Sequence, residues 1–260
     1  IADKIAGRFS TITGLQYLFY PSTPLLRWHE WVRSADIVQL FNTHGNYLAH
    51  PLLPFVAAGK PVVWWLSDQW PFTGHCGYSY ECDRWKTGCG NCPILGEYPE
   101  IPYDTTALLW KIKKRVFTKM PMTVVAPSRW LARLSKESRI LGHCETHYIP
   151  NGIDTNHFRN LDKREARRAL GIDTPAPVVL ILDSGPGGER KGTHLLKEFS
   201  ERLTAAATEK PHYLVFGRGA SSWKGENVTA VGEVDIPRLP TVYSAADLFV
   251  FPTLADNLPN

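Results

Sequence analysis

The sequence predicts an α/β fold of two domains, each built on a mainly parallel sheet. Three observations carry that expectation. Short β-branched runs alternate with longer amphipathic stretches along most of the 260 residues, the pattern of strands joined by helical crossovers. The alternation breaks once, at the turn residues Pro150, Asn151 and Gly152, and then starts again. With 43% apolar residues the chain has enough to bury a core in each half.

In order, the first half carries strand patterns at Ile37–Phe41, Pro61–Leu66, Thr123–Ala126 and His147–Ile149. Helical periodicity falls at Tyr47–Ala58, Thr105–Thr118 and Ser128–Arg139. The second half carries strands at Val178–Leu182, Tyr213–Phe216, Val228–Val231 and Leu248–Phe251, with helices at Lys163–Leu170, Gly192–Ala207 and Ile236–Ala245. This places a first domain over residues 1–155, with a cysteine-rich loop at 74–93, and a second over residues 156–260. Strand, helix, strand in this order implies right-handed crossovers.

The net charge of +4 suits a phosphate-bearing ligand or an anionic surface and is too weak to indicate nucleic acid. Apolar runs are strand-sized, far short of a membrane span. One basic stretch, residues 108–119, holds five basic residues, no acid, and Trp110 and Phe117 two helical turns apart. It fits either a helix lying on anionic lipid or a core-packed helix with solvated lysines, and the second reading is preferred.

The least ordinary segment is residues 62–93, with four of the five cysteines and four of the nine tryptophans. A buried strand exits there into a polar, aromatic loop in which Cys76, Cys82, Cys89 and Cys92 follow one another, the last two as a C-x-x-C pair. Thiolates in such pairs bind structural zinc, and Gly88 and Gly90 would let the backbone wrap an ion. Disulfides and reduced, packed thiols are the alternatives. His75 could replace one thiolate, whereas Cys144 stands alone and reads as a small buried residue.

The second half opens with a strand feeding a glycine-rich turn, Asp183 to Gly188, and then Glu189, Arg190, Lys191 and Gly192 at a helix start. Glycines allow close backbone approach to a phosphate, a helix start offers free N–H groups, and Arg190 and Lys191 add positive charge. The turn is neither a Walker A loop nor a G-x-G-x-x-G fingerprint. The competing reading is a plain strand-to-helix turn with solvated charges.

Taken in order, residues 42–45, 66–93, 126–131, 149–154, 190–192, 243–247 and 256–260 resemble the retaining glycosyltransferases of family 4. Within them the chain is most similar to a bacterial polysaccharide-building subgroup. The resemblance implies a GT-B fold of two Rossmann-like domains facing across a cleft. It also implies sugar transfer, with retention, from a nucleotide-diphosphate sugar to a glycan or lipid-linked glycan acceptor, in the cytoplasm or at the inner face of the membrane. No metal would be required for catalysis.

On this resemblance Asp68, Lys191 and Asp256 would serve catalysis, with Asp68 ranked as an orienting group. The donor would lie against Gly187, Gly188, Arg190, Lys191, Gly232, Asp256, Asn257 and Leu258, and His44, Ser67, Trp70 and Thr73 would face the cleft. Ser67 stands where relatives tend to carry histidine, and the arginine that many relatives place several residues ahead of the lysine is missing from Ser184–Gly188, which leaves Arg190 as its substitute. The glycine loop expected before Ile1 and the second carboxylate expected beyond Asn260 both lie outside the sequence, so both ends look truncated. A non-catalytic zinc-bearing module on the same scaffold is the rival reading.

Overall fold

A computed structural model describes residues 1–258 and divides into two compact units, Ile1–Asn151 together with the residues from Asn257, and Gly152–Asp256. The first unit holds a four-stranded sheet of β1 (Val38–Phe41), β2 (Val62–Trp65), β3 (Met122–Ala126) and β4 (Glu145–Tyr148) in that spatial order. All three pairings are parallel, with Phe41 opposite Trp65 and Trp65 opposite Val125. Val62, Trp64 and Leu66 alternate onto one face and join the main core.

Five helices belong to this unit: α1 (Ala2–Thr13), α2 (Glu30–Ser34), α3 (Leu53–Ala57), α4 (Thr106–Phe117) and α5 (Arg129–Glu137). Helix α5 starts where sequence expects, because the Ser128 side chain accepts from the Leu131 N–H at 3.1 Å and caps it. Helices α1 and α2 were not anticipated. Inward positions of α1 are the small residues Ala6 and Ser10, while Ile5, Phe9 and Ile12 are exposed, so burial runs against its apolar pattern. The helix expected over Tyr47–Ala58 is a single 3₁₀ turn, His50–Leu52, leading into α3.

The second unit has β5 (Val178–Leu182), β6 (His212–Phe216), β7 (Val228–Gly232) and β8 (Leu248–Val250), all parallel, in the order β7-β6-β5-β8. Its helices are α6 (Lys163–Ala169), capped by Asp162, α7 (Thr193–Ala206) and α8 (Leu239–Ala245). Along β5, Val178 and Leu180 join one core with α6 and α8, and Val179 and Ile181 join another with α7. A strand buried on both faces reads as a continuous apolar run, which is how Val178–Leu182 appears in the sequence.

The order of this sheet matters for function. From β5 the chain crosses to β6 on one side, while β8 pairs on the other, so the carboxyl ends of β5 and β8 lie side by side at a topological switch point. Ligands in open parallel sheets bind in the crevice at such a point, beyond the carboxyl ends of the strands.

Candidate functional site

The glycine-rich turn leaves the carboxyl end of β5 at this switch point. Asp183 is buried and splits its carboxylate, one oxygen accepting from the Gly185 N–H at 2.8 Å and the other from Trp223 Nε1 at 2.7 Å. Gly185, Gly187 and Gly192 all have positive φ. At Gly192 a Cβ would stand 2.0 Å from the Pro252 carbonyl oxygen, so the start of α7 and the loop after β8 meet backbone to backbone. At Gly188 a Cβ would stand 2.4 Å from Thr193 Oγ1, an atom that is buried and without a hydrogen-bond partner among the described residues.

Against this turn lies the loop after β8. The Leu254 N–H donates to the Arg190 carbonyl at 2.9 Å, and Thr253 Oγ1 donates to the same oxygen at 3.1 Å. Arg190 Nη1 donates to the Ala255 carbonyl at 2.8 Å and lies 3.4 Å from Asp256 Oδ2, the atom that Lys191 Nζ also contacts. Lys191 sits over the Phe251 ring, 5.1 Å from its centroid. Arg190, Lys191 and Asp256, 65 residues apart in sequence, therefore form one charge cluster at the switch point. Gly232 ends β7 with φ of 73°, two strands away from β5. Asn257 is buried with the first unit, where its Nδ2 donates to the Ser67 carbonyl, and Leu258 is exposed. Pro259 and Asn260, the end of the resembling stretch, lie outside the described residues.

In the first unit, the parallel register brings together two residues that sequence singled out. Phe41 is opposite Trp65, and His44 and Asp68 each follow three residues later, so both leave adjacent strand ends. His44 Nε2 is 3.0 Å from Asp68 Oδ2, an ion-pair distance without hydrogen-bond alignment, and the His44 ring stacks on Trp70 at 5.1 Å. Asp68 Oδ1 accepts the Trp70 N–H at 2.9 Å. Ser67 is half-buried. Trp70 and Thr73 are fully buried in this unit and support the strand exit from within.

What holds them is Lys113, which is 1% exposed. Its ammonium donates to the Trp70 carbonyl at 2.7 Å and the Thr73 carbonyl at 3.1 Å, and it lies 3.5 Å from the Trp70 ring centroid. Burial pushes its pKa down from 10.5 to about 7, opposed by the thiols of Cys76 and Cys89 and by Asp68. His50 lies edge-on to Trp70, and burial followed by the Lys113 charge holds it well below the usual histidine range. In the stretch 108–119, Trp110, Lys113 and Phe117 point into the core, as the core-packed reading expects, while Leu108 is exposed. Among the described residues no helix is long and apolar enough to cross a membrane.

The four cysteines of the loop and His75 line one cavity of about 10 Å³. His75 Nδ1 is 3.0 Å from the Pro99 carbonyl, and Nε2 is 3.4 Å from Cys92 Sγ. The Gly74 N–H donates to Cys89 Sγ at 3.2 Å. Burial raises the Cys76 thiol to about 12 and the Cys89 thiol to about 11. All five cysteines are free, and Cys144 is buried as expected. Among the described residues no three His, Cys, Asp or Glu side chains are already drawn together as a preformed metal site.

Sequence singled out Arg190, Lys191, Asp256, His44 and Asp68. It missed Lys113, whose signal was a single lysine at an inward position of a helix carrying three other basic residues.

No protein-family model matches this chain. Solved structures share its architecture. HepE of Anabaena, in complex with UDP-glucose, superposes with a TM-score of 0.52 at 18% identity, over 87% of this chain and 56% of HepE. Sucrose-phosphate synthase of Thermosynechococcus elongatus gives 0.51 at 17% identity, over 77% of this chain and 46% of that one. The chain has the GT-B glycosyltransferase fold. In sequence it is 29% identical over 202 residues to WcaC of Escherichia coli (strain K12), whose name assigns it to colanic acid biosynthesis as a glycosyl transferase. That match takes in 76% of this chain and 47% of WcaC, so the chain spans about half the length of the curated relative.

Proposed function

We propose that this chain is the core of a glycosyltransferase that moves a sugar, with retention, from a nucleotide-diphosphate sugar to a glycan or lipid-linked glycan acceptor in surface polysaccharide synthesis. The observation that carries the reading is the meeting of the glycine-rich turn, Arg190, Lys191 and Asp256 at the β5/β8 switch point. Backbone approach, two cations and a helix start are what a diphosphate needs. The likeness to WcaC supports the polysaccharide setting, and the HepE complex with UDP-glucose supports a nucleotide sugar as donor.

The chemistry follows from the charges. As the bond between the sugar C1 and the diphosphate oxygen breaks, negative charge gathers on the leaving group, and Lys191 and Arg190 stabilise it. The acceptor oxygen bonds to C1 on the same face, and its proton passes to the departing diphosphate. Asp256, now shared by both cations, is the anion that a donor phosphate displaces or joins. Asp68 acts as a positioning residue through the Trp70 N–H and His44.

The test is thermal denaturation of the full chain with UDP-, GDP- and ADP-sugars, repeated on Lys191→Ala. One nucleotide raises the melting temperature of the wild type, by the equivalent of about 2.7 kcal/mol at a hundredfold excess over Kd, and the rise is lost in the variant. No response to any nucleotide sugar, or an equal response in Lys191→Ala, overturns the reading.

A further inference from the structure

The cysteine-rich loop plays no part in the chemistry above, yet it is the most elaborately built loop of the first unit. Cys76, Cys82, Cys89 and Cys92 are spread over 17 residues of the loop and line a single cavity. At about 10 Å³ the cavity holds one ion or one water and nothing larger. Around it the backbone is arranged for sulfur. Cys89, Gly90 and Asn91 all have positive φ, so the chain between Cys89 and Cys92 wraps tightly. The Gly74 N–H points at Cys89 Sγ, and the Ile94 N–H bonds Cys92 two residues ahead of it.

Charge is supplied as well. Arg84 lines the cavity and clamps the wrapped turn, donating from Nη1 to the Gly90 carbonyl at 3.0 Å and the Asn91 carbonyl at 2.5 Å. Lys113 is the second cationic side chain nearby, bearing on Cys76 and Cys89.

We propose that this cavity is a structural Zn²⁺ site whose ligands are the thiolates of Cys76, Cys82, Cys89 and Cys92. Zinc takes four such ligands tetrahedrally, and a tetrathiolate centre carries two negative charges, which Arg84 and Lys113 offset. His75 stays beside the centre, tethered through Nδ1 at the Pro99 carbonyl and in contact with Cys92. The thiols are gathered around one cavity but are not collapsed onto a point, so binding rotates them inward and releases their protons. The ion then ties the loop after β2 to the start of α4, where Thr106 Oγ1 accepts the Gly90 N–H at 2.9 Å. This inference is independent of the glycosyl-transfer reading, and its test needs no activity.

The experiment is metal analysis of the full chain, purified under reducing conditions, incubated with zinc and desalted. About one zinc per chain is expected. In parallel, Co²⁺ titration of the wild type gives the intense thiolate charge-transfer and tetrahedral d–d bands, and bound zinc shields the four loop cysteines from alkylation, read by peptide mass. Cys89→Ser loses the metal and Cys144→Ser keeps it. Should Cys89→Ser fail to fold, the wild-type cobalt spectrum and alkylation pattern still decide. Sub-stoichiometric metal with equal alkylation rates in the presence and absence of zinc overturns the site, as does a mass lowered by disulfide formation in protein that was never reduced.

Discussion

Replacing Lys113 by methionine should reverse its effect on stability with pH. The ammonium is fully enclosed, and burial lowers its pKa from 10.5 to about 7. That fall corresponds to on the order of 5 kcal/mol against folding while the group is charged. The folded pKa is the lower one, so below about 7 both folded and unfolded chains hold the proton and the full penalty applies. Between about 7 and 10.5 the unfolded chain keeps a proton the folded chain has released, and stability climbs with pH by up to about 1.4 kcal/mol per unit. Above 10.5 the penalty is gone.

Methionine is close in volume and cannot titrate, but it leaves the Trp70 and Thr73 carbonyls without their donor, at about 1–3 kcal/mol. Lys113→Met should therefore be the more stable protein at about pH 6.5 and the less stable at about pH 10, the curves crossing where the remaining charge penalty equals the lost hydrogen bonds. The assay is urea unfolding followed by tryptophan fluorescence across that range, in reduced protein with metal chelated. Parallel stability curves for the two proteins would refute the reasoning.

Three further outcomes are expected. Gly192→Ala should destabilise the second unit by about 2–4 kcal/mol, because it adds a Cβ at a φ of 74° and against the Pro252 carbonyl; a change under about 0.5 kcal/mol in calorimetry would mean that contact is not real. Asp256→Asn releases Arg190 and Lys191 from their carboxylate, so calorimetric titration should show UDP binding about threefold to tenfold tighter while sugar transfer falls. Weaker UDP binding in that variant would place the nucleotide elsewhere. Asp68→Ala strips the buried Trp70 N–H of its acceptor and should cost about 1–3 kcal/mol in denaturant unfolding, with quenching or a shift in tryptophan emission.

Much of the fold was legible because its signals are local. Val178–Leu182 is an unbroken β-branched and leucine run, Ser128 and Asp162 are side-chain caps, and the glycines after Asp183 announce a turn. The N-terminal helices were not legible, since α1 buries alanine and serine and leaves its isoleucines and phenylalanine outside. At the site, Arg190 and Lys191 stood out by their place after a glycine turn, whereas only the family resemblance, and no local pattern, brought Asp256 to the same place.

By itself, then, the sequence determined where strands and helices alternate, which strand exit is a glycine-rich turn followed by two cations, and which four thiols sit within one loop. Each of these rests on neighbouring residues and their preferred dihedral angles. Tertiary structure decided the rest. Parallel register set His44 beside Asp68, strand order placed Asp256 on Arg190 and Lys191, and packing turned one lysine of a basic helix inward to hold the carbonyls of the Trp70 turn. Those pairings join residues 24 to 66 positions apart, and they are fixed by which strand ends become neighbours, a property of the folded sheet that no short stretch of sequence contains.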